Sequence, residues 1–133
     1  MKIIDLLNSQ PILQDLVNQR MPAKIAYCVA KNFRLISVEL EDYNKTRLKL
    51  LSENWTLDPV TNKYDIPDNE QEKWKTIHNE LLDSECDYKP FKIDISLIEK
   101  LDWSPVELLS LWFIFEGDGA SDLAPLSRDL KIK

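Results

Sequence analysis

His78 is the chain's one histidine and so its one candidate imidazole base. General acid–base or nucleophilic chemistry would need it beside a Ser or Cys nucleophile, or facing a carboxylate across a cleft. Its sequence neighbours are Ile77, Asn79 and Glu80, on a stretch dense with carboxylates, and no motif delivers a nucleophile to it. It therefore reads as a surface histidine among carboxylates. Cys28 and Cys86 are the two cysteines. Cys86 with His78, Glu85 and Asp87 could be imagined around a metal, but the His-to-Cys spacing fits no structural zinc pattern and no second soft ligand is near. Cys28 reads as a small core hydrophobe. Glu39/Glu41/Asp42, Asp83/Glu85/Asp87 and Asp118/Asp122 are close acidic groups. Hydrolytic chemistry needs such groups to converge in a cleft, whereas these fall on helix faces and in loops. The expectation is a chain that is not an enzyme and takes no cofactor or metal.

Composition narrows the choice further. With two glycines, Gly117 and Gly119, the chain lacks a Rossmann fingerprint or a Walker A loop. Its 133 residues suit one domain with a core of its own. Net charge is −6, and residues 64–88 alone carry −6, against +2 for residues 1–63 and −2 for residues 89–133. That balance argues against direct nucleic-acid binding, which needs a basic face. The acidic stretch holds Asp68, Glu70, Glu72, Glu80, Asp83, Glu85 and Asp87. It is either a solvated face or a surface for a basic partner. No run approaches the length of a membrane span, and the opening MKIIDLLNSQ is too short and polar for a signal peptide. The thiols suit a reducing compartment.

The elements that would position these residues are mainly helical. Residues 3–7 read as a strand or a helical turn, and Ser9 with Pro11 starts a helix ending near Met21. Pro22 then opens one long helix over about 23–54. Ile25, Val29, Phe33, Ile36, Leu40, Tyr43, Leu48 and Leu51 recur along it in steps of three to five, with a heptad rhythm from Val29 to Tyr43. Thirty-two residues of helix span about 48 Å, so other helices or another subunit must cover part of that stripe. Residues 55–66 read as a β-hairpin turning at Asp58-Pro59 and Thr61-Asn62. Asp68 and Gln71 suggest a capping box for a helix over 69–83 that returns along the long one as a helical hairpin. Residues 91–95 alternate as a short strand whose natural partner is residues 2–6. Ser104-Pro105-Val106-Glu107 is a second capping box.

The helix after it, VELLSLWFIFE, is apolar nearly all round and expected to be buried or half-covered by a partner. Leu108, Leu111, Trp112 and Phe115 are its candidate interface residues. Trp55 and Trp103, at element ends, are candidate surface aromatics. Residues 1–116 form the expected domain and 117–133 an extended tail anchored by Leu123, Leu126 and Leu130. The fold class is thus mainly α, a helical hairpin packed by shorter helices with a small two-stranded β element.

Three segments carry a resemblance: KIIDLLNSQPILQDLVNQRMPAKIAYCVAKN, ELEDYNKTRLKLLSE and LDWSPVELLSLWFIFE. As segment patterns over roughly residues 1–54 and 93–116, they resemble small acidic helical proteins of tailed bacteriophages and prophages, most of unassigned function. The resemblance implies a phage origin, a place in the virion or the bacterial host cytoplasm, and a structural or regulatory role. It supplies no functional residue. With the over-long helix and the apolar C-terminal run, it suggests an oligomeric virion or assembly component that binds itself or other phage proteins. The alternative is an acidic inhibitor that binds a host protein, with imitation of nucleic acid as one mode of binding.

Overall fold

The computed structural model describes residues 1–123. Its organising element is α2 (Ala23–Asn54), as the unbroken run between Pro22 and Trp55 predicts. α1 (Ile3–Val17) lies antiparallel on the first half of α2, with the Gln10 amide donating to Ser37 Oγ across the pair at 3.3 Å. α3 (Gln71–Leu82) returns along the second half. Between α2 and α3 stands a hairpin of β1 (Thr56–Asp58) and β2 (Lys63–Asp65), with Leu57 opposite Tyr64. Asn62 takes the left-handed turn position at φ 58°, which its short amide side chain tolerates better than most residues. α2 therefore meets two sets of neighbours, and the chain itself covers most of the inner stripe.

The buried side of α2 is Ile25, Cys28, Val29, Asn32, Ile36, Leu40, Tyr43 and Leu51. Two members of the expected stripe depart from it: Phe33 is half-buried and Leu48 is 44% exposed. Against the first half pack Leu6, Leu13 and Leu16 of α1, with Tyr88, Ile98, Phe113 and Ile114 from the C-terminal segment completing the same core.

Several local expectations are corrected. α1 begins at Ile3, so residues 2–6 form no strand with 91–95, and Pro11 sits inside the helix rather than at its start. An internal proline costs about 3 kcal/mol or more, but the lane Leu6, Ser9, Leu13, Leu16 runs through it and is fully buried. Burial of three leucines at roughly 1.5–3 kcal/mol each outweighs that penalty. β3 (Ile93–Asp94) instead pairs in parallel with β4 (Phe115–Glu116).

The apolar C-terminal run is not one helix. α4 (Pro105–Ser110) is held at its start by the expected box, Ser104 Oγ accepting from the Glu107 N–H at 3.2 Å and Glu107 Oε1 from the Ser104 N–H at 2.8 Å. It stops after six residues, and a 3-10 turn (Trp112–Ile114) leads into β4. A straight helix would expose part of an all-round apolar sequence; the break turns Leu111, Phe113, Ile114 and Phe115 into the core together. Asp68 does not cap α3. A 3-10 turn (Asp68–Glu70) precedes the helix, and Gln71 reaches back to donate to the Ile66 carbonyl at 2.9 Å. The packed body also runs past 116: Gly117 turns at φ 96°, Ala120 is buried, and Leu123 packs on the core. Leu126 and Leu130 lie outside the described residues.

Candidate interaction surfaces

His78 is placed by α3 against Tyr43 of α2, its Nε2 2.8 Å from the Tyr43 hydroxyl. It stacks nearly parallel on Trp74, ring centres 5.0 Å apart, and Trp74 meets Trp55 edge-on at 6.0 Å. Trp55 Nε1 donates to Glu70 Oε2 at 2.9 Å. This corrects two expectations: His78 is a half-buried member of an aromatic column, and Trp55 is a buried anchor rather than a surface aromatic. Burial, then the positive charge of Arg47, lowers the His78 pKa below its ordinary value, and burial raises that of Tyr43. A neutral imidazole held by a phenol and a tryptophan face fastens α3 to α2. No Ser or Cys nucleophile approaches it among the hydrogen-bond partners of the described residues. Among those residues there is also no group of three or more His, Cys, Asp or Glu side chains that could hold a metal. Cys86 lies elsewhere, its thiol donating to the Met1 carbonyl at 3.1 Å.

A second polar node lies deeper. Asn32 is fully buried and satisfied on both ends of its amide. Its Nδ2 donates to the Cys28 carbonyl at 2.9 Å and the Phe91 carbonyl at 2.8 Å. Its Oδ1 accepts from the Tyr88 hydroxyl and from the Phe91 N–H at 3.0 Å. The segment 88–91 is thereby pinned on α2 and covers Cys28, whose thiol burial pushes up to about 11. Cys28 is the core residue that its position beside the stripe suggests.

The candidate interface residues divide. Leu111 and Phe115 are taken up by the chain's own core and offer nothing to a partner. Leu108, Trp112, Trp103 and Leu123 are half-buried around that core, Trp103 tilted against Phe115 at 5.9 Å. The acidic residues divide as well. Glu70 holds Trp55, Asp83 pairs with Lys2 Nζ at 2.6 Å, and Glu85 pairs with the terminal amine at 2.9 Å. Asp68, Glu72, Glu80 and Asp87 are exposed, with Lys73 and Lys75 interspersed on α3.

The surface that sequence reasoning missed is the outer side of α2. Tyr27 is 58% exposed and Val38 54% exposed. They are three helical turns apart and share a face. Lys31 and Arg34 lie between them, and the Lys31 ammonium stands 4.6 Å over the Phe91 ring. Farther along, Leu48 and then Leu57 and the hairpin-tip Val60 continue the exposed apolar side chains. The available signal was electrostatic: no carboxylate occurs between Asp15 and Glu39, while Arg20, Lys24, Lys31 and Arg34 do. Beside this face, Lys24, Tyr27, Phe91, Asp94 and Glu116 line an open groove of about 480 Å³. Among the described residues no helix is long and apolar enough to cross a membrane. No known protein family, curated protein or solved structure matches the chain.

Proposed function

We propose that this chain is a non-enzymatic, phage-encoded interaction protein, a virion component or assembly factor that works as an oligomer in the virion or the host cytoplasm. One observation carries the interaction role. Five of its large apolar side chains, Tyr27, Val38, Leu48, Leu57 and Val60, stand exposed along α2 and the hairpin that follows it. Apolar groups spread along a rod-like element suit a protein partner better than a small molecule, which is bound in a concave pocket. The phage setting rests on the segment resemblance. The aromatic column and the Asn32 node are consumed in holding the fold, which leaves the surface as the working part.

Light scattering on the purified chain, coupled to size exclusion at low and high salt, tests the reading. A mass that rises above the monomer as concentration increases is expected. A monomer at every concentration would remove the oligomer. In that case the exposed carboxylates Asp68, Glu72, Glu80 and Asp87 would favour the second reading, an acidic inhibitor of a host protein. That reading requires binding that weakens steeply with salt.

A further inference from the structure

We propose that the outer face of α2 pairs with the same face of a second copy, antiparallel and about a two-fold axis near residue 36. The proposal rests on the oligomer reading and names its interface. Every third or fourth residue along that face gives the lane Lys24, Tyr27, Lys31, Arg34, Val38, Glu41, Lys45 and Leu48. This is a heptad rhythm on the side away from the core, and each member except the half-buried Lys31 is exposed.

The lane's charges choose the arrangement. A parallel, in-register pair sets Lys31, Arg34, Glu41 and Lys45 each against its own copy, like charge on like. An antiparallel pair centred near residue 36 sets Lys31 against Glu41 of the partner subunit. It sets Tyr27 against Lys45 of the partner subunit, a cation over a ring. Arg34 meets Val38 of the partner subunit, and Lys24 meets Leu48 of the partner subunit, apolar stems on apolar side chains. No like charges face one another along the lane. Sliding by one heptad in one direction sets Lys31 against Arg34 of the partner subunit. Sliding in the other sets Arg34 against Lys45 of the partner subunit. The contact is isologous, so each pair occurs twice. From residue 24 to residue 48 it is about 36 Å long and one helix, about 10 Å, wide. That falls short of the roughly 800 Å² per partner of a standard interface. The pair is therefore weak alone and gains strength inside a larger assembly.

Two charge reversals test it. Lys31→Glu and Glu41→Lys are made separately and their folding is checked by circular dichroism. Self-association is then followed by sedimentation velocity at low ionic strength, up to about 1 mM protein to reach weak affinities. Each variant alone sets like charges together at both symmetry-related pairs, and should associate at least about tenfold more weakly than the parent. Mixed one to one, they should associate with each other, because every reversed charge again meets its opposite. Should Lys31→Glu fail to fold after losing its place over Phe91, Val38→Lys on the open surface serves instead, setting a charge against Arg34 of the partner subunit. A parent multimer indifferent to these changes overturns this interface and leaves the oligomer reading to another surface. Weakened variants that do not associate on mixing overturn the antiparallel register. A parent that stays monomeric throughout overturns the pairing and the oligomer reading together.

Discussion

Replacing Asn32 by alanine should detach the segment that closes the lower core. The substitution strands the Tyr88 hydroxyl and the Phe91 N–H, which rely on the Asn32 amide, while the Phe91 carbonyl keeps the Cys28 thiol as a donor at 3.5 Å. The Cys28 carbonyl retains its place in the helix and counts for little. Tyr88 is buried, so its orphaned hydroxyl falls at the upper end of the roughly 1–3 kcal/mol charged for an unpaired polar group. Phe91 is half-buried, so water can reach its backbone and its N–H falls near the lower end. The total is about 4 kcal/mol, a large share of the roughly 5–15 kcal/mol that holds a domain together. A urea melt followed by circular dichroism should lose about 2 M in midpoint for an m-value near 2 kcal/mol/M. Thiol titration gives a local readout. In the parent Cys28 is covered and its pKa is pushed up to about 11, so it should resist a thiol reagent that labels Cys86. In Asn32→Ala both should react. Asn32→Asp should be poorest near neutral pH, where a carboxylate would face the Cys28 and Phe91 carbonyls, and should partly recover in acid, where the carboxyl can carry a proton. A midpoint loss worth under about 1 kcal/mol, with Cys28 still protected, would refute the reasoning.

Three further outcomes follow from the packing. The folded-state pKa of His78 lies below its ordinary value of 6.5. The unfolded chain therefore takes up a proton first as pH falls, and stability should decline below about 6.5, levelling off once the folded pKa is passed. Melting temperatures of the parent and His78→Gln between about pH 5 and 8 check this: the parent's extra slope should vanish in the variant, and equal slopes would contradict it. Gly117→Ala should lower stability by about 1–2 kcal/mol. Its φ is 96°, and an added Cβ would stand 3.0 Å from Asp94 Oδ1; an unchanged melting temperature would be the contrary result. Leu111→Ala should cost about 2–5 kcal/mol as a core deletion, seen in a denaturant melt, since Leu111 is fully buried in this chain; a near-neutral result would return it to the surface as an interface residue.

What the sequence made legible was what its signals determine locally. Pro22 and the unbroken run after it gave α2 its limits, Ser104 and Glu107 gave α4 its start, and Asp58 to Asn62 gave the hairpin its turn. The larger misreadings share one cause, a local signal overruled by a distant partner. Pro11 marks a helix start by propensity, yet three leucines buried around it keep the helix continuous on both sides. The apolar run after Ser104 has helical composition, yet the pairing of Ile93 with Phe115, twenty-two residues apart, draws it out into a strand. His78 finds Tyr43 thirty-five residues away, and Asn32 finds Phe91 fifty-nine away. Neither distance leaves a trace in spacing.

The same limit explains why the outer face of α2 was silent while its inner face was plain. Any long helix carries several lanes of residues at three-and-four spacing, because 3.6 residues per turn repeats nearly every seven. An apolar lane announces itself, since water drives it inward whatever its partner. A mixed lane of lysines, a valine and a tyrosine has the periodicity of ordinary solvated surface. It gains meaning only when burial has settled which side of the helix faces out, because charge patterns select an orientation only between surfaces free to meet. On α2 that side is fixed by Ile25, Val29, Ile36 and Leu40 turning inward, which leaves Tyr27, Arg34, Val38 and Lys45 outward. The inner lane specifies the fold of one chain, and the outer lane, with opposite charges at Lys31 and Glu41, is where a preference between two chains can be written.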